Sequence, residues 1–392
     1  MTIARPLLIL GLSALGVVTA VQSVPTRSLG KLLAEHPEPF SGIVEVRELA
    51  SGSVIVLDGK DNVLQLLSQD LETATRVSRV GSGPAEYRRV MQLIAHRADT
   101  TYAYDVMNAR FLVIDPRGAA TTTVSLRDAA GGLPVGPMAV RGYDARGRLY
   151  YQGINFRMGK DGPAFADTAP LLRLTGATKA IDTLAWVRIG MPRVNMSGDM
   201  QKGGGSVRLG MPAFPVVDEW GIMPDGRVAV LRGRDYRIDW IGPDGARRPG
   251  AAVPYTRVRV TDADKAKSRE TNRKVQQEVS KAAAGAASGI PGGSRGKMPS
   301  MKVDEPTEWP EYKPPFAQGA LKVAPNGELW VARLRPAADE APLFDVLDAT
   351  GVLRYRVQLP KKSRLAGLGA RHIYVVRIDD DDLEYLQRYD RQ

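Results

Sequence analysis

One short stretch recurs along the chain and limits what the chain can fold into. Its clearest copies are residues 224–231 (PDGRVAVL) and 325–332 (PNGELWVA), each a tight turn followed by an apolar run. Asp-Gly and Asn-Gly suit the positive φ of a hairpin turn, and the run after them suits a buried strand. Weaker copies of the pattern lie at residues 51–57, 99–104, 144–151 and 369–376.

The spacing of these copies predicts the architecture. Their equivalent positions are separated by 47, 47, 79, 101 and 44 residues. Three steps match the period of about 40 to 50 residues that four-stranded propeller blades have, and the two long steps equal one blade plus an insertion. We therefore expect an all-β fold, a six-bladed β-propeller, with an all-β sandwich as the alternative. The equivalent positions are Ile55, Tyr102, Leu149, Val228, Leu329 and Ile373.

A second recurring turn supports this prediction. Residues 115–118 (DPRG), 242–245 (GPDG) and 348–351 (DATG) each follow an apolar run and precede another strand-like run. They come roughly a dozen to twenty residues after the first turn, where the third strand of a four-stranded blade should end.

The N-terminus has the pattern of a secretory signal. One positive charge precedes an apolar run at residues 6–21, and small residues follow, with cleavage expected after Ala20 or Ser23. The run is shorter than the roughly 20 residues of a membrane-spanning helix, although an uncleaved anchor is the alternative. We expect residues 1–23 to be a signal peptide and residues 24–392 to be the propeller of an exported protein, periplasmic or extracellular.

Residue usage excludes several kinds of chemistry. The chain has no cysteine, which excludes disulfides, a cysteine nucleophile and thiolate metal sites. Its three histidines are isolated, so a histidine zinc site is not indicated, and there is no Gly-x-Ser-x-Gly elbow. The net charge of +11 is scattered along the chain, which favours a solvated surface over an anion site. We expect no nucleic-acid partner, and a membrane partner only if the N-terminal segment is uncleaved.

The two long steps of the repeat mark two insertions. Residues 190–212 are rich in Gly and Met, fit no strand or helix period, and are predicted to be a mobile surface loop. Residues 257–315 are predicted to be a helical and flexible insertion between blades four and five. Its first half should be a solvent-exposed helix capped by Thr261 and Asp264, and residues 288–300 should be a flexible linker.

The last blade is short of one strand. Residues 364–392 have room for only three strands. Because a propeller closes into a ring, we expect the segment around residues 27–33 to supply the fourth strand of that blade.

The turn that joins the first two blades carries a family resemblance. Residues 81–87 (GSGPAEY) are close to the Gly-x-Gly-Pro-Gly-Glu-Tyr turn of exported bacterial six-bladed β-propellers, with Ala85 in place of a glycine. The chain resembles this family, related in architecture to NHL-repeat and TolB-like propellers, over nearly its whole mature length. The resemblance implies the fold and export but assigns no activity, because a fold does not fix a function. Further matching stretches are residues 218–220 (DEW), 225–227 (DGR), 329–331 (LWV) and 383–389 (LEYLQRY).

Two groups of acidic residues are candidates for chemistry. Residues 379–382 are four aspartates that could hold calcium, but no EF-hand spacing follows, which favours a hairpin turn facing water. Asp218 and Glu219 fall on the predicted innermost strand of blade four, where alternate side chains face the channel. There they could serve a sugar, a cation or a metal. The alternative is that one acid pairs with an arginine of a neighbouring blade while Trp220 packs between blades.

The sequence contains no catalytic constellation, so we favour a binding or scaffolding module of the bacterial cell envelope. Its ligand would be a protein, a peptide or a glycan. The alternative is a propeller enzyme of the lactonase or lyase type, with a divalent metal held by acids on the inner strands. A membrane-tethered sensor is a third option. We expect no cofactor, with a divalent cation as the exception that the enzyme alternative requires.

Connectivity predicts where the binding residues lie. The chain enters each blade at its inner strand and leaves from the outer one, so every crossover returns on the same rim. Residues 81–89 and both insertions are crossovers, and loops on a rigid scaffold often carry binding residues. The alternative is that Tyr87 and Arg88 only join the first two blades and that the insertions are decoration. The predicted ligand-binding residues are Glu86, Tyr87, Arg88, Arg89, Arg193, Asp218, Glu219, Trp309 and Tyr312.

Overall fold

The computed structural model describes residues 24–129, 140–159, 162–176, 178, 180–191, 193–197, 205–210, 212–288 and 300–391. The predicted signal peptide and residues 289–299 of the predicted linker lie outside these ranges. Within them, no helix is both long enough and apolar enough to cross a membrane.

The first part of the chain forms two leading strands and two antiparallel sheets. The leading strands are β1 (Thr26–Ser28) and β2 (Leu32–Glu35). The first sheet consists of β3 (Ile43–Glu48), β4 (Val54–Asp58), β5 (Val63–Leu67) and β6 (Ala74–Arg76). The second consists of β7 (Val90–Ala95), β8 (Thr101–Asp105), β9 (Arg110–Ile114) and β10 (Ala120–Ser125), followed by the short helix α1 (Leu126–Ala129).

The third sheet is interrupted by a hairpin and followed by two extra strands. Its own strands are β11 (Val140–Tyr143), β12 (Leu149–Gln152), β15 (Thr168–Thr175) and β16 (Ala180–Arg188). The hairpin between β12 and β15 consists of β13 (Phe156–Gly159) and β14 (Gly162–Phe165). The extra strands are β17 (Arg193–Ser197) and β18 (Ser206–Gly210).

The remaining sheets are separated by the long helix. The fourth sheet consists of β19 (Glu219–Ile222), β20 (Val228–Arg232), β21 (Arg237–Ile241) and β22 (Arg247–Ala252). The helix α2 (Asp262–Ser288) and the strand β23 (Ser300–Asp304) follow. The fifth sheet contains β24 (Leu321–Val323), β25 (Leu329–Ala332), β26 (Leu343–Leu347) and β27 (Leu353–Gln358). The sixth contains β28 (Ser363–Leu368), β29 (His372–Ile378) and β30 (Glu384–Asp390).

Both recurring turns occur where the sequence predicted them. Gly226 and Gly327 have φ of +82° and +86° and join the first strand of a sheet to the second. Gly245 and Gly351 have φ of +88° and +86° and join the third strand of a sheet to the fourth. A side chain with a Cβ rarely adopts this backbone conformation, which explains why the repeat is marked by glycine.

Each sheet packs face to face on the next around an apolar core. The fourth and fifth sheets bury Leu231 against Val331, and the sixth sheet packs back on the first through Tyr374 and Val54. The first strands of successive sheets lie side by side, from β28 through β3, β7, β11 and β19 to β24. This is the arrangement of a β-propeller around a central channel, and it excludes a sandwich, which has only two packed sheets.

The N-terminal segment completes the sixth sheet, as predicted. Strand β2 pairs antiparallel with β30, with Leu32 opposite Tyr389 and Glu35 opposite Gln387. The pairing begins later than the predicted residues 27–33. Those first residues form β1, which adds parallel to β27 and gives the fifth sheet a fifth strand.

The prediction that residues 190–212 contain no strand is wrong in the described part. Strands β17 and β18 pair antiparallel there, and β18 also pairs in parallel with β23 of the second insertion, with Val207 opposite Met301. The partner strand lies roughly ninety residues further along the chain, and short strands whose pairing is that distant leave a weak local pattern. Part of residues 288–300, predicted to be a linker, is the end of α2, and β23 begins at Ser300.

The second insertion begins with the predicted capped helix. The backbone N–H of Asp264 donates to Thr261 Oγ1 at 3.3 Å, while Thr261 N–H donates to Asp264 Oδ2 at 2.9 Å. This reciprocal pair fixes the start of α2. Asp264 also forms a buried ion pair with Lys313, at 2.6 Å from Oδ1 to Nζ, which ties the helix to the segment leading into the fifth sheet.

Candidate functional site

The crossovers between sheets lie on one face of the propeller. Because neighbouring strands run antiparallel, the chain leaves each fourth strand at the face where it enters the next first strand. Both insertions are such crossovers, between β16 and β19 and between β22 and β24. They also contact each other, since Arg208 Nη2 lies 2.8 Å from Asp304 Oδ1 beside the paired strands β18 and β23. The two insertions therefore share a face, as connectivity predicted.

A cavity of about 220 Å³ opens at this face, among the first strands of the second, third and fourth sheets. We call it the channel-mouth cavity. Val140, Ile189 and Val217 provide apolar walls, but most of its lining is polar. The polar lining residues are Gln92, Arg141, Gln152, Arg188, Asp218, Glu219 and Gln318.

Asp218, one of the predicted site residues, is fully engaged by the protein. Its Oδ2 accepts hydrogen bonds from the backbone N–H of Arg188 at 3.0 Å and from Arg232 Nη1 at 2.9 Å. Its Oδ1 accepts one from the backbone N–H of Gly233 at 3.0 Å. Asp218 therefore fixes the entry of the chain into the fourth sheet, and its arginine partner belongs to the same sheet. The predicted pairing of one acid with an arginine of a neighbouring sheet is found instead at Glu219, whose Oε2 lies 3.8 Å from Nη2 of Arg141 on β11.

Glu219 is the second predicted acid, and it is 2% exposed. Its Oε1 accepts a hydrogen bond from the backbone N–H of Gly319 at 2.6 Å. Burial raises the pKa of the Glu219 carboxyl above its ordinary value, although the charge of Arg141 acts in the opposite direction. Trp220 beside it is buried between the third and fourth sheets, as the structural alternative predicted, and its Nε1 donates to Gln152 Oε1 at 3.3 Å.

Arg141 provides a positive charge to the cavity, and its ion pair with Glu219 is a long one. It lies on β11, its side chain is 41% exposed, and its Nη2 is 3.8 Å from Glu219 Oε2. Its Cζ lies 5.7 Å from the centre of the Trp220 ring. No hydrogen bond engages this guanidinium in the ranges that the structure describes, so its planar set of donors is available to a ligand.

A third carboxylate lies on the first strand of the first sheet, outside the lining of the cavity. Glu45, on β3, is half-buried and accepts a hydrogen bond from the backbone N–H of Leu93 at 2.7 Å. Burial raises the pKa of Glu45, while the charges of Lys322 and Arg141 lower it. Arg141 thus lies within electrostatic range of both Glu45 and Glu219, and the channel holds acids and bases from several first strands.

These groups suit a small polar anion better than a bare metal ion. Arg141 offers guanidinium donors, and Arg188 adds those that its 2.8 Å bond from Nη1 to Asp167 Oδ2 leaves over. The amides of Gln92, Gln152 and Gln318 can both donate to and accept from hydroxyl groups. Both oxygens of Asp218 already accept from protein donors. Among the described residues, no group of three or more His, Cys, Asp or Glu side chains is placed to hold a metal.

The acidic turn of the sixth sheet is structural in character. Residues 379–382 connect β29 to β30, and Asp379 Oδ1 accepts from the backbone N–H groups of Asp381 and Leu383 at 3.0 and 2.9 Å. This confirms the predicted hairpin turn.

Glu86 and Tyr87 lie in the crossover between the first two sheets and away from the channel-mouth cavity. Glu86 accepts from the backbone N–H of Gly83 at 2.7 Å and pairs with Arg79, and these bonds lower the pKa of its carboxyl. The Tyr87 ring is 1% exposed, and its hydroxyl bonds to the backbone of Asn62 and Leu64. Tyr87 therefore has no exposed surface for a ligand. It joins the first two sheets, as the alternative in the sequence analysis predicted.

The predicted arginines do not converge on one site. The backbone N–H groups of Arg88 and Arg89 donate to Asp105 at 3.0 and 2.9 Å, which anchors the start of β7, and the side chain of Arg88 is exposed. Arg193 is exposed on β17, in the first insertion. None of the three lines the channel-mouth cavity.

The two predicted aromatic residues pack within the insertions. The Trp309 ring lies 6.1 Å from that of Phe214, with Arg269 Cζ 5.5 Å from its centre. Tyr312 is flanked by two arginines, with Arg257 Cζ at 3.9 Å and Arg259 Cζ at 5.3 Å from its ring centre. Of the nine predicted residues, the structure brings only Asp218 and Glu219 into the channel-mouth cavity.

Sequence reasoning missed the cationic side of this cavity. Neither Arg141 nor Arg188 stands out in the sequence, because positive residues are scattered through the chain. A usable signal did exist for Arg141 and Glu45, since both are charged and lie on first strands, the criterion that selected Glu219.

A second cavity, of about 590 Å³, lies on the opposite face, among the turns of the third, fourth and fifth sheets. Its lining includes Trp240, with Arg227 Cζ 4.4 Å from the centre of the indole. Arg146 and Arg248 are exposed at its edge. We call it the opposite-face cavity.

Comparison with models of protein families finds no match, and no curated protein matches the sequence. Solved structures with a similar strand arrangement exist. A Bacteroides fragilis protein that is named as an exported protein is 12% identical to this chain, with a TM-score of 0.45 over 93% of this chain and 94% of that one. The calcium-binding protein regucalcin from Agrobacterium tumefaciens is 12% identical, with a TM-score of 0.40 over 94% and 97%. Virginiamycin B lyase from Staphylococcus aureus is 11% identical, with a TM-score of 0.39 over 92% and 98%. Likenesses at this level assign neither a ligand nor an activity to the chain.

Proposed function

We propose that this protein is an exported ligand-binding module whose site is the channel-mouth cavity. The observation that carries the proposal is Arg141, a half-exposed guanidinium without a hydrogen-bond partner in the described part of the chain, beside buried Glu219. A cation held by the scaffold and directed into a polar cavity is the arrangement that recognises a carboxylate or phosphate.

The scaffold of this module is a six-bladed propeller. Each of the six large sheets would be one blade, with β2 closing the ring at the sixth. The packing of the sixth sheet on the first supports a closed ring. The propeller spans residues 24–392, with insertions at residues 190–212 and 257–315 that crowd one face.

Export follows from residues 1–23, with the mature protein in the periplasm or outside the cell. The mass of the protein purified from its native cells tests this. A mature chain beginning after Ala20 or Ser23 is expected, and a mass that includes Met1 would mean an anchored or unexported protein.

The ligand is a small acid that also carries hydroxyl groups, and a sugar acid is the class that fits. Arg141 and Arg188 would take the acid group, while the three amide side chains would exchange hydrogen bonds with hydroxyls. A protein or peptide ligand suits the cavity less well, because its volume of about 220 Å³ is below the roughly 300–1,000 Å³ of pockets for drug-sized ligands.

Calorimetric titration tests this assignment with D-galacturonate and, as the uncharged analogue, D-galactose. We expect binding of the acid but not of the neutral sugar, and a loss of about tenfold or more in affinity with Arg141→Gln. Arg146→Gln makes the same charge change in the opposite-face cavity and should bind as the wild type does. Equal binding of both sugars, or an unchanged affinity with Arg141→Gln, would contradict the proposal.

A propeller enzyme is the second candidate, and the raised pKa values of Glu45 and Glu219 favour it. Carboxyls with raised pKa values in a cleft are suited to general acid and base catalysis. A lactone-hydrolysis assay with and without added calcium, repeated with Glu219→Gln, distinguishes the two candidates. Metal analysis of the purified protein tests the divalent cation that a lactonase-type mechanism would require.

A further inference from the structure

We infer that the ligand is an oligomeric sugar acid whose chain continues from the channel-mouth cavity into a groove beneath the second insertion. The inference rests on the proposed function, because it assigns the terminal unit of the chain to the channel-mouth cavity. The groove itself is a separate site that shares Gln318 with the channel-mouth cavity.

The groove has a volume of about 440 Å³ and lies between α2 and the fifth sheet. We call it the insertion groove. One wall is the first part of α2, from Asp264 to Asn272, and the other walls are residues 313–318 and 333–342. The walls are held in place by protein bonds. Asp264 Oδ1 accepts from Lys313 Nζ at 2.6 Å and from the backbone N–H of Ala337 at 2.8 Å.

The insertion groove adjoins the channel-mouth cavity. Gln318, which is exposed, lines both of them. The segment that leads into the fourth sheet also runs from one to the other, since Phe214 and Pro215 line the groove while Val217 and Glu219 line the cavity. We therefore place the path of a chain-like ligand from one to the other over Gln318.

The chemistry of the groove matches a hydroxylated, anionic chain. The α2 wall presents Ser268, Thr271 and Asn272, and the amide nitrogen of Asn272 has no hydrogen-bond partner among the described residues. Lys267 is exposed on the same wall and pairs with no acid there. These groups can bond to hydroxyls and carboxylates along a sugar chain.

The opposite wall combines prolines with charged side chains. Its prolines are Pro314, Pro336 and Pro342, and its acids Asp339 and Glu340 are paired with Arg335 and Lys361 at 2.8 and 3.2 Å. A sugar ring has one edge of hydroxyls and faces of C–H groups, so a wall that offers prolines between polar groups suits it. The volumes of the cavity and the groove indicate an oligomer rather than a single sugar. About 220 Å³ is below the range of roughly 300–1,000 Å³ for a drug-sized ligand, whereas about 440 Å³ is within it. The terminal unit would occupy the cavity, and further units would occupy the groove.

Titration calorimetry with galacturonic acid, its dimer and its trimer tests the inference. We expect the trimer to bind roughly tenfold tighter than the monomer, the factor that two hydrogen bonds of ordinary net strength provide. Ser268→Trp should fill the groove, remove this gain and leave the affinity for the monomer unchanged. Ala266→Trp is the matched control, since Ala266 lies on the other side of the helix and does not line the groove.

Lys267→Glu provides a second variant that adds no bulk, and we expect it to reduce the gain by repelling the anionic chain. Equal affinity for monomer and trimer in the wild type, or a gain that survives both groove variants, would overturn the inference while leaving the proposed function intact. A folded wild type that binds neither monomer nor trimer would overturn the proposed function itself. The same gain with a triaspartate peptide would overturn the choice of a sugar chain.

Discussion

Arg377 donates two hydrogen bonds to the carboxylate of Glu35, from Nε to Oε2 at 3.0 Å and from Nη2 to Oε1 at 2.8 Å. Glu35 ends β2, the N-terminal strand of the sixth sheet, and Arg377 lies on β29, two strands away. Gln387, on the strand between them, also donates to Glu35, at 2.5 Å. The closing strand is therefore held by side chains as well as by its backbone pairing.

Removing residues 24–35 should destabilise the protein by at least about 3 kcal/mol, because the sixth sheet loses a strand and its backbone partners, each bond being worth about 1 kcal/mol. Removing only residues 24–28 deletes β1 and leaves β2 in place, so a much smaller loss is expected. Urea unfolding of both variants measures the difference. Equal losses, or no loss from the longer deletion, would mean that β2 does not close the structure.

Asp264→Asn should destabilise the attachment of α2 by about 3 kcal/mol, because the change leaves the ammonium group of Lys313 buried without its counter-charge. Faster proteolysis within the second insertion should accompany the loss. Asp262→Asn is the matched control, since Asp262 is almost fully exposed in its pair with Lys265 and its change should leave stability nearly unaltered. Similar effects from the two variants would contradict the anchoring role of Asp264.

Tyr87→Phe should cost about 1–3 kcal/mol, because it leaves the buried backbone N–H of Leu64 without the hydroxyl to which it donates at 3.1 Å. Tyr143→Phe is the control. The hydroxyl of Tyr143 is buried and has no partner in the described part of the chain, so its removal should be neutral or stabilising. Both variants should still bind D-galacturonate. A loss of binding by a stable Tyr87→Phe variant would mean that Tyr87 takes part in ligand binding.

Glu219 should make stability depend on pH. Burial raises the pKa of its carboxyl in the folded state above the ordinary value of 4.5, so the folded protein holds a proton that the unfolded chain releases. The free energy of unfolding of the wild type should therefore fall, relative to that of Glu219→Gln, as the pH rises from about 4.5 through the raised pKa. Thermal or urea unfolding of both proteins across this pH range measures the difference between their free energies of unfolding. A difference that does not change with pH would contradict the raised pKa of Glu219.

The propeller could be predicted from sequence because its turns are local. Gly226 and Gly327 require a backbone conformation that marks them in any copy of the repeat, and the apolar runs after them alternate with loops at a regular period. Strand β2 could also be predicted, because the last blade has one strand too few without it. Strands β17, β18 and β23 could not be predicted, because each is short and the sheet they form depends on the pairing of β18 with β23, far along the chain.

The site was predictable only in part, for a related reason. Glu219 was found because it is an acid on a first strand, but its partner Arg141 is one of many arginines, and only the packing of the third sheet on the fourth brings the two together. The sequence left two interpretations of Tyr87 open, because an aromatic residue in a turn has the same pattern whether it faces a ligand or is buried. The insertion groove depends on where α2 docks, which the composition of the helix does not specify.

A crystal structure of the protein with D-galacturonate bound tests the proposed site most directly. We expect the sugar in the channel-mouth cavity, with its carboxylate bonded to the guanidinium of Arg141 and its hydroxyls within hydrogen-bond distance of Gln92, Gln152 or Gln318. A sugar found instead in the opposite-face cavity beside Trp240 and Arg248, with the channel-mouth cavity unoccupied, would contradict it.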